Sequence, residues 1–104
     1  MESMFWDYKE KVAFDKEKAG KVVLAETAHS RTTLWCLMPG QHIHPHVHAG
    51  DHIWVVLEGT GDFLSNAAPR SLEPGTVVVA PAGQPHGIDN SGSEGLVFVS
   101  VSAG

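Results

Sequence analysis

From Gly20 onward the chain is punctuated by glycine, proline and asparagine at intervals of roughly ten residues, which leaves room only for short extended segments. Pro39-Gly40, Glu58-Gly59, Asn66 to Arg70, Pro74-Gly75, Pro81 to Pro85 and Asn90-Ser91-Gly92-Ser93 are the interruptions. Between them lie runs rich in β-branched and aromatic residues: Val22 to Thr27, Thr32 to Met38, His52 to Leu57, Gly61 to Ser65, Thr76 to Ala80 and Leu96 to Val101. Such side chains fit a pleated surface. Helical periodicity is nearly absent after residue 20, so the expected class is all-β, a sandwich or a barrel.

At 104 residues the chain is one domain's worth, expected to span 1–104. Several strands carry apolar residues on both faces. If His52 points inward, Trp54 and Val56 share its face, while Ile53, Val55 and Leu57 point outward. A sheet with one wet face alternates apolar with polar, so this outer face needs a cover. Residues 1–19 are mixed in character, and Phe5, Trp6, Val12 and Phe14 are candidates to pin that segment onto the barrel or a dimer partner. A second copy of the chain covering the rest makes a homodimer the expected assembly.

Net charge is −5, and the only concentration of lysines, Lys9 to Lys21, is interleaved with acids. That argues against a nucleic-acid surface. No apolar stretch is long enough to span a membrane, and the N-terminus has no basic-then-apolar pattern, so a cytoplasmic protein is expected. The single cysteine, Cys36, sits in an apolar run and reads as a buried thiol.

The chemistry is concentrated in Gly40 to His52, which holds five of the seven histidines. His46 and His48 are two apart and would share a face of a strand. An Ala-Gly-Asp turn would return His52 beside them, and a proline-rich loop delivers His86. His29 reads as structural. His44 shares the His46 face if the strand runs straight, and turns away if Pro45 bends it.

Two spaced strings carry a family resemblance. In the first, Gly40 is followed by five residues, His46-x-His48, three residues, His52, six residues and Gly59. In the second, Gly75 is followed by five residues, Pro81-x-Gly83, two residues, His86, three residues and Asn90. Together they resemble the paired motifs of the cupin superfamily, in the manner of its small single-domain microbial members. The resemblance implies a small antiparallel β-barrel of jelly-roll type with one divalent metal inside it. By position, the implied ligands are His46, His48, His52 and His86. The family usually has Glu where this chain has His52. An all-imidazole set leaves the full charge on the metal and suits Fe, Ni, Zn, Cu or Mn better than Mg or Ca. Imidazoles must be neutral to bind, so metal is expected to be lost below about pH 6.

A small apolar pocket is expected around the metal, with Trp35, Trp54, Phe63, Phe98, Val79 and His44 as candidate lining. Gln41, Gln84 and Asn90 are candidate hydrogen-bonding groups, and Asn90 reads better as a turn residue. Asp51, Glu58 and His44 are the candidate general bases. The expected function is dioxygenase-like chemistry on a small organic substrate. A redox-neutral isomerase, lyase or cyclase, and a non-catalytic binding or sensing protein, are the alternatives.

Overall fold

The computed structural model describes residues 2–103. Among these residues, nine strands follow one short 3-10 turn at Tyr8–Glu10. They are β1 (Gly20–Glu26), β2 (Ser30–Leu37), β3 (His42–His46), β4 (Asp51–Glu58), β5 (Gly61–Leu64), β6 (Arg70–Leu72), β7 (Val77–Ala80), β8 (His86–Asp89) and β9 (Leu96–Ala103). All pairings are antiparallel. The five-stranded sheet runs β1-β2-β9-β4-β7 and the four-stranded sheet runs β3-β8-β5-β6. The two close face to face as a jelly-roll barrel. Among the described residues no helix is long and apolar enough to cross a membrane.

Beyond β3, which lies in the histidine stretch, two strands are not among the expected runs. β6 has three residues and follows the expected turn at Asn66 to Arg70. β8 opens on His86 itself, where a loop residue was expected. Both are too short for periodicity to register, and pairing to β5 defines each of them.

The interior forms where alternate residues of the two sheets meet. Leu37, Trp54, Val56, Leu72, Ile88, Leu96 and Phe98 make one continuous buried cluster. Trp54 and Val56 face inward as their alternation with Ile53 and Val55 requires. A second cluster lies on the outer side of the large sheet: Leu34, Cys36 and Val97 are fully buried there, under Tyr8 and Val12. The N-terminal segment thus covers part of the outer face. Its anchors are Tyr8, Val12 and Phe14, which meets the backbone at Gly95. Phe5 and Trp6 do not pin it to the barrel of the same chain: Phe5 is 87% exposed, and the Trp6 ring lies under the Lys11 ammonium at 4.5 Å. Gln41 is spent on the same junction, donating to the Asp15 carbonyl at 2.7 Å and accepting from the Met38 N–H at 2.7 Å.

Candidate metal centre

Four local devices bring the histidines together. β3 pairs with β8 through Ile43↔Ile88 and then His46↔His86, with a register shift between them. The irregularity at His44-Pro45 is a bulge, and it turns both Ile43 and His46 toward the interior. Proline is tolerated here because β3 is an edge strand. Gly87 lets the strands approach: a Cβ there would lie 2.6 Å from Pro45 N and 2.9 Å from His44 C, and closer still to Ile43 O. Asp51 ties the turn before β4 to the loop before β8, accepting the Ala82 N–H at 2.8 Å, while the His48 carbonyl accepts the Gly83 N–H at 3.0 Å.

The outcome is a cluster of imidazoles at one end of the barrel. One ring nitrogen from each of His48, His52 and His86 falls within 4.8 Å of the others. His46 flanks them, its ring centroid 4.2 Å from that of His48 and 6.0 Å from that of His86. His86 is buried, His48 and His52 are half-buried, and His46 is exposed. The Nδ1–H of His46 donates to the His44 carbonyl at 2.8 Å, and that of His86 to the Gln84 carbonyl at 3.0 Å. Each of those rings therefore keeps its Nε2 lone pair free. His86 Nε2 lies 3.2 Å from His52 Nδ1. A proton on His52 Nδ1 makes this a hydrogen bond, and with that proton displaced both nitrogens are free to ligate. Two nitrogens on one tetrahedral metal stand about 3.3 Å apart, so the donor set fits a borderline divalent transition metal.

The electrostatics of two of the rings, His48 and His52, favour the neutral form. Burial, reinforced by the neighbouring imidazoles of His48, His86 and His46, pushes the His52 pKa down to about 4. Burial, then His46 and His86, also lowers that of His48. Neutral imidazole is the ligating form.

Beside the cluster lies a cavity of about 290 Å³ lined by Trp35, Trp54, Ile43, Thr33, Ser100 and Ser102 together with Lys21, Arg31 and three of the histidines. Of the candidate lining residues, Trp35 and Trp54 border this cavity. Phe98 does not line it: fully buried, it lies beneath, 5.0 Å from the Trp54 ring and 6.4 Å from the Trp35 ring. Phe63 lines a different cavity, on the far side of His86 with Pro85 and Val79. Val79 is 64% exposed, because its pairing with Ile53 puts both on the outer face. His44 also leaves the cavity. The bulge sends it to the outside with His42, the two Nε2 atoms 3.1 Å apart.

The remaining polar candidates have structural work. Asn90 is buried, donating to Leu37 O at 2.9 Å and Glu94 O at 2.8 Å and accepting the Gly92 N–H at 3.1 Å. Asp51 holds the loop. Lys21, Arg31, Ser100 and Ser102 were missed by sequence reasoning; the signal available was their alternation with outward residues on β1, β2 and β9.

Fold and site together define a small jelly-roll barrel built around a histidine cluster, and residues 33–102 match the model of the cupin domain. The chain belongs to that family. It is similar to an oxalate-binding protein of Thermotoga maritima, 31% identical over 80 residues, 73% of this chain and 66% of that protein. The matched stretch is thus slightly under two thirds of that relative's length. Among solved structures, a conserved protein with a double-stranded β-helix domain from Klebsiella pneumoniae is 36% identical, with a TM-score of 0.91 over 98% of this chain and 90% of that one. A protein from Thermus thermophilus is 30% identical, with a TM-score of 0.90 over 95% of each chain.

Proposed function

We propose that this protein holds one divalent transition metal on His46, His48, His52 and His86, binds a small organic anion beside it, and oxidises that ligand in dioxygenase-like fashion. The convergence of His48, His52 and His86, with His46 beside them and the rings of His46 and His86 held by backbone carbonyls, is the observation that carries this reading. A redox-active metal there would supply charge to bind and acidify the ligand, and electrons for reaction with O₂. The chain's own residues do the rest. Trp35, Trp54 and Ile43 present apolar surface that limits water. Lys21 and Arg31 favour an anion. The hydroxyls of Thr33, Ser100 and Ser102 offer hydrogen bonds. No carboxylate lines this cavity among the described residues, and Glu26 of the adjoining cavity is paired with Arg31, which favours chemistry without a carboxylate base over isomerisation or cyclisation.

Elemental analysis of the purified protein, followed by oxygen-electrode measurements on the Fe(II)-loaded form with enols, diols and 2-oxo acids, tests this. Near-stoichiometric metal and ligand-dependent O₂ uptake are expected. Metal binding without uptake for any ligand favours the second reading, a non-catalytic carrier of a small carboxylate, which the likeness to an oxalate-binding protein supports.

The protein is further proposed to act as a homodimer. Ile53, Val77 and Val79 stand 40%, 60% and 64% exposed on the outer face of β4 and β7, beyond the reach of the N-terminal cover. An apolar strip on an edge strand is a ready surface for a second copy.

A further inference from the structure

The inward face of the large sheet is ordered in rungs. One rung joins His52 to Ser102, Ser102 to Arg31, and Arg31 to Glu26. The next joins Trp54, Ser100, Thr33 and Val23. Arg31 therefore stands two strands from His52, roughly 10 Å between backbones, with only Ser102 between them.

Two cavities meet along that rung. One is the pocket over Trp35 and Trp54. The other, also about 290 Å³, lies toward the β1–β2 turn and is lined by Glu26, Thr27, His29 and Ser30 among others. Arg31, His48, His52 and Ser102 line both. The charge distribution is uneven in the same place. From residue 20 on the chain has seven carboxylates and only three cations, Lys21, Arg31 and Arg70. Two of the three face the pocket. A positive mouth on an acidic body focuses its field on an anion.

We propose that Arg31 is the specificity-determining residue of this site: it receives a second carboxylate, so the preferred ligand is a short dicarboxylate with one end at the histidine centre. This rests on the reading that an organic anion occupies that centre. The rung spacing, shortened by the reach of the guanidinium, suits a diacid of about four to six carbons. In the free protein Glu26 takes the place of that carboxylate. Its Oε1 accepts from Arg31 Nε at 2.8 Å and from Nη2 as well, with both side chains about half exposed. Exposed pairs of this kind contribute little, so a ligand carboxylate whose other end is already held at the histidine centre can displace Glu26 from the guanidinium. Glu26 is then a competitor that discourages ligands lacking the second carboxylate.

Calorimetry on the Zn(II)-loaded full chain, with glutarate and pentanoate as matched five-carbon probes, tests the assignment. In the native sequence glutarate should bind about tenfold more tightly than pentanoate, or better. Arg31→Ala should erase that preference, weakening glutarate far more than pentanoate, and leave bound zinc unchanged. Arg31→Lys should restore only part of it, because an ammonium lacks the fork. Glu26→Gln should tighten glutarate severalfold, an effect that a purely structural role of the pair would reverse. Equal affinity for the two probes in the native protein, or equal weakening of both in Arg31→Ala, overturns the role of Arg31 and leaves the anion site standing. Binding of neither probe, nor of oxalate, by the zinc-loaded protein overturns the underlying reading as well.

Discussion

His52 shows how one residue's surroundings set both its chemistry and its liability. Burial and three neighbouring imidazoles push its pKa down to about 4, against an ordinary value of 6.5. The unfolded chain therefore takes up a proton between those two values while the folded chain does not. The metal-free protein is expected to lose stability as pH falls from about 6.5 toward 4, with His48 acting in the same direction, and to lose little more from this source below that. Urea unfolding of metal-stripped protein at a series of pH values measures it; a flat midpoint across the window would contradict the assignment. Gly87 has the opposite character, with no chemistry of its own. A methyl group there meets the β3 backbone at three atoms. Gly87→Ala should cost about 1 to 3 kcal/mol of stability. It should also weaken metal binding by prising His46 away from His86, measurable by competition with a chromophoric chelator.

At the scale of elements, the bulge in β3 divides the histidines. A regular strand would have placed His44 with His46. The extra residue puts His42 and His44 on the outer side and turns Ile43 and His46 toward the cavity. Hence His44→Ala is expected to leave metal content and affinity unchanged, while His52→Ala or His86→Ala lowers metal content. Elemental analysis of the three variants side by side decides it, and equal loss in all three would mean that the outer histidine also serves the centre. The turn before β4 and the loop before β8 are linked by Asp51 and Ala82. Asp51→Ala should cost about 1 to 2 kcal/mol, as loss of a charge-assisted hydrogen bond does, and should raise the mobility of the loop carrying His86. Amide hydrogen exchange at residues 82–86 is the readout.

Over the whole molecule, the outer face of the large sheet is covered unevenly. The N-terminal segment buries Leu34, Cys36 and Val97 and leaves the β4–β7 side open. The proposed dimer uses the open part. Val79→Lys is expected to shift the protein to monomer in sedimentation velocity without loss of bound metal, because Val79 points away from the histidine cavity. If the native protein sediments as a monomer at high micromolar concentration, the apolar strip has another explanation.

Much of this architecture is legible in local patterns. Glycine and proline punctuation marks most strand ends, alternation places Trp54 and Val56 inside, and two spaced motifs single out four histidines, of which the structure draws together His48, His52 and His86 with His46 beside them. Those signals are local because turn geometry and side-chain direction depend on a few consecutive residues. Phe98 sank beneath the pocket, Phe63 moved to another cavity and His44 left the interior for a different reason. Each outcome depends on which residue lies across the ladder, and register is set between segments tens of residues apart. The same register puts Arg31 on the rung of His52. The sequence by itself determined which side chains can ligate, and pairing between distant strands decided what stands beside them.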